Sequence, residues 1–328
     1  MSTADLPTPK TEALAAIPPR KKRWTEKVPV ISHLRQSVGL QRGMLVVGLV
    51  ITAVFILIAV FAPLLAPYSW AQQEANGVSF GTQEAPNATN LLGTTVSGFD
   101  VLSRVIWGAQ TALLVIIAAI ACSIFIGIAL GLLSGYFGGW LDRILVVVAD
   151  AIYAFPSLLL AIVMSIVISR GQSVLWGGIA ATAISITVVF VPQYFRVVRS
   201  EVLRVRQEPF IDSARVIGVP TGRILLRHVL RNSTRSLPVV VTLNASEALL
   251  TLAGLGFLGF GIEATSAAEW GYDLNRAVGD VTSGIWWTSV FPGVAIVLVV
   301  LGVTLVGESL NDLSDPRLRT RRRAGGAA

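Results

Sequence analysis

Two carboxylates, Asp150 and Glu247, stand inside long apolar runs of this chain. An ionised acid at the centre of a bilayer costs about 2.5–3.5 kcal/mol on insertion scales, so each must face protein or water rather than lipid. Two kinds of role are open to them: a proton relay or lining of a hydrophilic passage, or a hydrogen-bonded contact between helices. Both stay open for Asp150; for Glu247 the polar neighbours Asn244 and Ser246 favour the contact. Little else in the chain could do chemistry. His33 and His228 are too few for a His-rich metal site, and the single cysteine, Cys122, has no disulfide partner. A P-loop requires Gly-Lys-Ser/Thr after a glycine-rich turn, yet the only lysines are Lys10, Lys21, Lys22 and Lys27. Leu133-Ser134-Gly135-Tyr136 has a superficial likeness to an ATPase signature but ends an apolar run and lacks the second glycine and the glutamine. With no nucleophile elbow, zinc pattern or paired acid and base, the polypeptide is expected to catalyse nothing and to bind no cofactor of its own.

The elements that must position these acids are membrane helices. The sequence is 53% apolar and 14% charged, against about 25% charged in ordinary soluble domains. Crossing the hydrocarbon core takes about 20 mostly apolar residues. Six segments satisfy this: 44–65, 109–133, 144–168, 177–195, 237–260 and 288–307. The first begins at Met44, too late and too long for a cleaved signal peptide. An even count puts both termini on one side. Eight Lys or Arg precede Met44, nine lie in Arg196–Arg235, five follow Asn311 and Arg143 adds another, whereas the opposite loops hold Arg104, Arg170 and Arg276. The positive-inside rule therefore places both tails and the 196–235 segment in the cytoplasm. The basic balance needs no nucleic acid partner; the Arg20–Arg23 run marks topology and meets anionic lipid headgroups.

The expected organisation is a cytoplasmic tail (1–43), a first span (44–66), an extracytoplasmic loop (67–106), a core of five spans (107–310) with a cytoplasmic insert at 200–235, and a second cytoplasmic tail (311–328). Before Pro29 the tail has proline and charge without periodicity, the signature of a disordered lead-in, and 30–40 suits the inner membrane surface. The 67–106 loop is polar, rich in Gly, Asn and Thr, and expected to be partly ordered. Asn87-Ala88-Thr89 matches the glycosylation acceptor pattern, which three residues meet often by chance. Ser123, Gly127, Gly131 and Gly135 recur every four residues, a ridge of small side chains on which another helix can pack closely. Pro156, Pro192 and Pro292 lie within or at the ends of spans, where each removes a backbone hydrogen bond and permits a kink.

Within the insert, apolar residues return at helical spacing in two short blocks, Phe210, Ile211, Ala214, Ile217 and then Ile224, Leu225, Val229. Gly218 can take positive φ to close the first helix, and Pro220 favours the first turn of the second. The spacing predicts a helical hairpin across the inner membrane face. Its arginines, Arg215, Arg223, Arg227, Arg231 and Arg235, solvate one side or meet phosphates, and the small Ser213 and Ala214 let the first helix sit close against a partner. A purely lipid-binding helix would carry Trp, Phe or Leu throughout its apolar face; this one is better shaped to dock a protein.

Several ordered blocks carry a resemblance: APLLAPY at 62–68, LGTTVSGFDVLSRVIWG at 92–108, GYFGGWLDR at 135–143 and DAIYAFPSLLL at 150–160. Next come the insert itself, GFLGFG at 256–261 followed by Trp270-Gly271, FPG at 291–293 and DPRL at 315–318. From about Leu34 to Leu318 the chain resembles the second permease subunit of bacterial ABC importers of the dipeptide, oligopeptide and nickel type. The resemblance implies an all-α polytopic membrane protein of six transmembrane helices, the type I importer permease fold with an EAA-type coupling hairpin. Asp212, Ser213 and Ala214 would be the loop's acidic and two small residues, Gly218 its glycine, with Arg215 and Ile217 between them in the surface that meets an ATPase. Asp and Ser replace the usual Glu and Ala, Arg231 stands where proline is common, and Leu252 stands where the family often has an acid. The implied partners are a homologous permease forming a heterodimer in the inner membrane, two ATP-binding subunits holding ATP and Mg, and an extracytoplasmic binding protein that delivers solute. The alternatives are a stand-alone secondary transporter using Asp150 and Glu247 as ion sites, and a membrane scaffold.

Overall fold

The computed structural model of the protein describes residues 40–169 and 175–314. His33, the Arg20–Arg23 run, most of the 30–40 segment, Arg170 and the 315–318 block lie outside the described residues. In chain order the helices are α1 (Leu40–Val60), α2 (Ala62–Leu65), α3 (Val101–Phe137), α4 (Gly139–Tyr153), α5 (Ser157–Ser169) and α6 (Leu175–Val205). Then come α7 (Pro209–Val216), α8 (Thr221–Arg223), a π-helical segment (Ile224–Val229), α9 (Leu230–Ser233), α10 (Leu237–Phe257), α11 (Trp270–Thr282) and α12 (Trp287–Ser314). Five helices are long and apolar enough to span a bilayer: α1, α3, α6, α10 and α12.

The expected span at 144–168 is not one straight helix. It is the pair α4 and α5, which meet at 98°. The break falls where Pro156 disfavours helical backbone at Phe155 and cannot itself donate a hydrogen bond. Accordingly α4 finishes on a tight bond from the Phe155 N–H to the Ile152 carbonyl (3.3 Å), and α5 restarts with Leu160 N–H donating to the Pro156 carbonyl (3.0 Å). Pro192 and Pro292, by contrast, sit inside continuous helices.

The small-residue ridge of α3 is the seat of α6. A Cβ added to Gly127 would lie 2.4 Å from Tyr194 Cβ, and one on Gly131 or Gly135 would lie 2.8 Å from Val198 Cβ or Val202 Cβ. Ser123, at the end of the ridge, donates through Oγ to the Thr187 carbonyl of α6 (3.2 Å) and to Ala119 (2.7 Å). Both helices are long, 37 and 31 residues. At about 1.5 Å per residue α3 extends well beyond a hydrocarbon core of about 30 Å, so both project past the bundle to carry the hairpin. Below the ridge Arg206 donates to the carbonyls of Gly135 (3.2 Å) and Tyr136 (3.0 Å), placing a cation on the C-terminal end of α3. Arg199 grips Asp142 of α4 with Nε and Nη2 (2.6 and 2.8 Å), tying the bent pair to α6.

At the other end the 66–100 segment forms an ordered cap. Strands β1 (Glu74–Ala75) and β2 (Val78–Ser79) pair antiparallel around Asn76 and Gly77, both at positive φ as a tight hairpin turn requires. Asn87 Oδ1 accepts from the backbone N–H groups of Thr89 (2.9 Å) and Asn90 (2.8 Å), so the Asn-Ala-Thr triplet has a turn to hold. Asp100 caps α3, accepting from Ser103 N–H (2.8 Å) and Oγ (2.7 Å).

Helix α3 starts at Val101, so Arg104, expected in the outer loop, is helical and only 1% exposed. Its guanidinium holds Asp273 of α11 through Nε (2.7 and 2.9 Å) and donates from Nη1 to the Trp70 carbonyl (3.0 Å). Beside it Glu269 caps α11, accepting from the N–H groups of Gly271 (2.8 Å) and Tyr272 (2.7 Å). That carboxyl rests on the backbone of α10, where a Cβ on Gly256 would lie 1.8 Å from it. Gly271 likewise meets the Ala253 backbone, 2.0 Å from its would-be Cβ. The glycines of the 256–261 block and the Trp270-Gly271 pair thus mark where the chain folds back on α10. Burial away from water pushes the Glu269 carboxyl up to about 8, against the pull of the two N–H donors.

Two outcomes follow from this packing. Replacing Gly131 by Leu forces α3 away from α6 and should destabilise the protein by about 1–3 kcal/mol. Gly279→Ala, in open space, should be neutral or stabilising by up to about 1 kcal/mol; thermal unfolding in detergent compares the two. Because the folded pKa of Glu269 is raised above the ordinary 4.5, the folded state holds a proton that the unfolded state has released between those values. Stability should therefore fall by about 1.4 kcal/mol per pH unit as pH rises from about 5 to 8, then level off. Glu269→Gln should flatten that slope in melting curves across this range.

Candidate functional site

The hairpin projects from the end of the bundle where α6 finishes. Pro209 occupies the first turn of α7, where a missing N–H costs nothing. Ile211 (0% exposed) and Ala214 (7%) turn inward, against Ile224 (1%) and Val229 (0%) of the returning strand of helix. Gly218 has φ +76° and closes α7 as the spacing predicts, with Gly218 N–H donating to Arg215 (3.0 Å) and Val219 N–H to Ala214 (3.0 Å). Pro220 stands just before α8, and the chain then widens into the π turn, which the sequence reading does not anticipate. Arg231 continues the helix through α9, so the hairpin leaves by the turn at Thr234 rather than by a proline.

The residues of the insert divide between two faces. Ala214 packs within the chain, whereas Val216 (87% exposed) and Ile217 (78%) stand out at the tip beside Gly218. Asp212 and Ser213 lie on the outer side. Asp212 accepts from Arg215 (3.2 Å), both largely exposed, and Ser213 Oγ donates to the Pro209 carbonyl (3.0 Å). Arg215 lies over the Tyr136 ring at 5.7 Å, joining the first hairpin helix to the end of α3. The tip therefore presents two aliphatic side chains within a rim of charge, on a scaffold fixed by packing. Such a surface can transmit a push into α3 and α6; no catalytic chemistry is arranged there.

The two membrane-depth acids behave differently. Asp150 of α4 accepts from Arg196 of α6 at 2.7 Å, and Arg196 stacks over the Tyr153 ring at 4.4 Å. Glu247 lies midway along α10 and is exposed, without an ion-pair partner among the described residues. Asn244 and Ser246, expected to support it, are buried on other faces (1% and 8% exposed), and Ser246 is instead bonded to Thr304 (3.0 Å). Glu247 borders a cavity of about 220 Å³ between α4, α5, α6 and α10, shared with Tyr153, Ser157, Phe190 and Gln193. Gln193 and the Arg196 partner of Asp150 escape a reading that looks only for acids in apolar runs; their signal is a spacing of three on one helix. Leu252, where the family often has an acid, is buried at 1% in the core. Among the described residues no group of His, Cys, Asp and Glu could hold a metal ion.

The family described as the binding-protein-dependent transport system inner membrane component matches residues 127–320, which include the three glycines of the ridge, the bent pair, the hairpin and α10. The N-terminal TM domain of oligopeptide transport permease C matches residues 40–86. The dipeptide transport system permease protein DppC of Alkalihalophilus pseudofirmus is 38% identical over 92% of this chain and 95% of its own length. The glutathione transport system permease protein GsiD of Pectobacterium atrosepticum is 33% identical over 88% and 89%. The DppC of Haemophilus influenzae is 34% identical over 85% and 92%. With that coverage joined to a bundle of apolar helices and a helical hairpin, the chain belongs to the binding-protein-dependent transport family: it is a multi-pass permease subunit of an ABC importer and not itself an enzyme.

Proposed function

We propose that this permease translocates peptides across the inner membrane, driven by separate ATPase subunits that seat its hairpin tip. The observation that carries the coupling role is the exposed Val216-Ile217 pair beside Gly218, held on a base whose own apolar residues are buried. Two large aliphatic side chains left in water beneath a charged rim have the composition of an interface centre. In this reading the hairpin and both tails lie in the cytoplasm, which the arginine distribution supports. A homologous permease completes a heterodimer, two ATP-binding subunits carry ATP and Mg, and an extracytoplasmic binding protein delivers solute over the cap. Closure of the ATPases presses the paired hairpins together, and the push passes through Arg215 and Tyr136 to α3 and through the α3 ridge to α6. The relatives named for dipeptide and glutathione transport support a peptide solute, both molecules being peptides.

In this arrangement Asp212 reaches a basic group of the ATPase when freed from Arg215. Gly218→Pro and Asp212→Arg should abolish uptake in reconstituted importer while the protein still inserts. Ile217→Asp should weaken ATPase binding by about 2 kcal/mol, roughly thirtyfold in affinity. Pull-down of the ATPase and radiolabelled dipeptide uptake are the readouts. Wild-type ATPase recovery together with normal uptake in all three variants would overturn the coupling role. Uptake should collapse on ATP depletion and persist with a protonophore; the reverse would favour an ion-coupled transporter.

A further inference from the structure

We propose that the cavity between α4, α5, α6 and α10 is this subunit's share of the solute path, and that Glu247 recognises the cationic amino group of the passing solute. The proposal rests on the peptide reading above, since a peptide brings an ammonium group.

The bilayer itself supplies the first step. The exposed face of α10 runs through Leu243 (44%), Glu247, Leu250 (52%) and Phe257 (43%), one stripe of the helix. Three of the four would suit lipid. Glu247 would not, because an unpartnered acid halfway along a spanning helix has no headgroup within reach. It needs water, a cation or a polar surface of another subunit. The cavity at its side offers the first and accommodates the second, being large enough for several waters and bordered by Gln193, Ser157 and the edge of Tyr153.

The second step is continuity. Tyr153 borders the cavity and also carries Arg196 on its ring, and Arg196 holds Asp150 with both side chains about half exposed. A charged pair that open would be costly against lipid, so it faces water. Glu247, Gln193, Tyr153 and the Arg196–Asp150 pair therefore form one polar seam down an otherwise apolar surface, beginning midway along α10 and leading toward the hairpin end. Glu247, without an ion-pair partner among the described residues, and with the cation farther along already neutralised by Asp150, selects for an ammonium group there and against a lone carboxylate. The bend between α4 and α5 lies at this cavity, whose lining takes Ile152, Tyr153 and Phe155 from one side of Pro156 and Ser157 and Leu160 from the other.

Two measurements on the complete importer in proteoliposomes test this. In a Cys122→Ser background, Glu247→Cys should react with a cationic methanethiosulfonate reagent. The rate should change at least severalfold when ATP and vanadate trap the ATPases. Absence of reaction in every nucleotide state would overturn assignment of the cavity to the path. In the second, Glu247→Gln should lower dipeptide uptake by about tenfold or more, the value of a lost charged hydrogen bond. Binding-protein-stimulated ATP hydrolysis should persist, and Glu247→Asp should recover part of the uptake. Unchanged dipeptide uptake in Glu247→Gln would overturn ammonium recognition. If the wild-type importer carries no dipeptide, the peptide reading and the ammonium assignment fall together. The labelling result, which needs no solute, still decides whether the cavity is the path.

Discussion

Between α3 and α6 the two backbones come so close that Gly127, Gly131 and Gly135 have no room even for a Cβ. Tyr194, Val198 and Val202 fill the space that Gly127, Gly131 and Gly135 leave empty. In a bilayer this contact cannot draw on the hydrophobic effect, since lipid tails are as apolar as the side chains; its strength is dispersion over a long interface and a few interhelical hydrogen bonds. What hangs on it is geometric. With α6 seated, Arg206 reaches the last carbonyls of α3, Arg199 reaches Asp142, and the bent α4–α5 pair is held in place. The hairpin's buried face then has a floor to pack on. The hairpin thus rests on the two longest helices of the bundle, which pack as one body.

Charge is arranged around the cost of leaving water. Arg104 and Asp273 are buried, but Nε of the arginine donates to both carboxylate oxygens and Nη1 donates to the Trp70 carbonyl. Removing one partner would leave an uncompensated charge costing about 3–5 kcal/mol. Asp142 has Arg199, and Asp150 has Arg196. Glu269 follows another route: burial raises its pKa, and its two oxygens cap α11. Of the two acids expected at membrane depth, Glu247 is the exception, exposed and without an ion-pair partner among the described residues. That combination is tolerable where water or another subunit replaces lipid, which is why its position says more about function than the better-satisfied acids do.

Much of this was legible from residue types and spacing. The four-residue recurrence from Ser123 to Gly135 pointed to a close helix crossing, since only absence of side chains permits one. Gly218 announced the hairpin turn, because positive φ there costs other residues strain. Apolar length located the spans, although α3 begins eight residues before the expected 109 and α6 runs ten residues past 195. The 98° bend was only partly legible: Pro156 permitted a break, yet Pro192 and Pro292 permit one equally and sit in continuous helices. Local sequence states where a helix is weak, and the packing on either side decides whether it yields.

By itself, then, the sequence determined the membrane-spanning character, the hairpin and the contact faces, since these follow from hydropathy, periodicity and backbone sterics within a few turns of helix. Tertiary structure alone decided the partners of the charges. Asp273 lies 169 positions from Arg104, and Asp150 lies 46 from Arg196. No local pattern joins residues so far apart; the helices had to pack before it was settled which acid met an arginine and which was left facing a cavity.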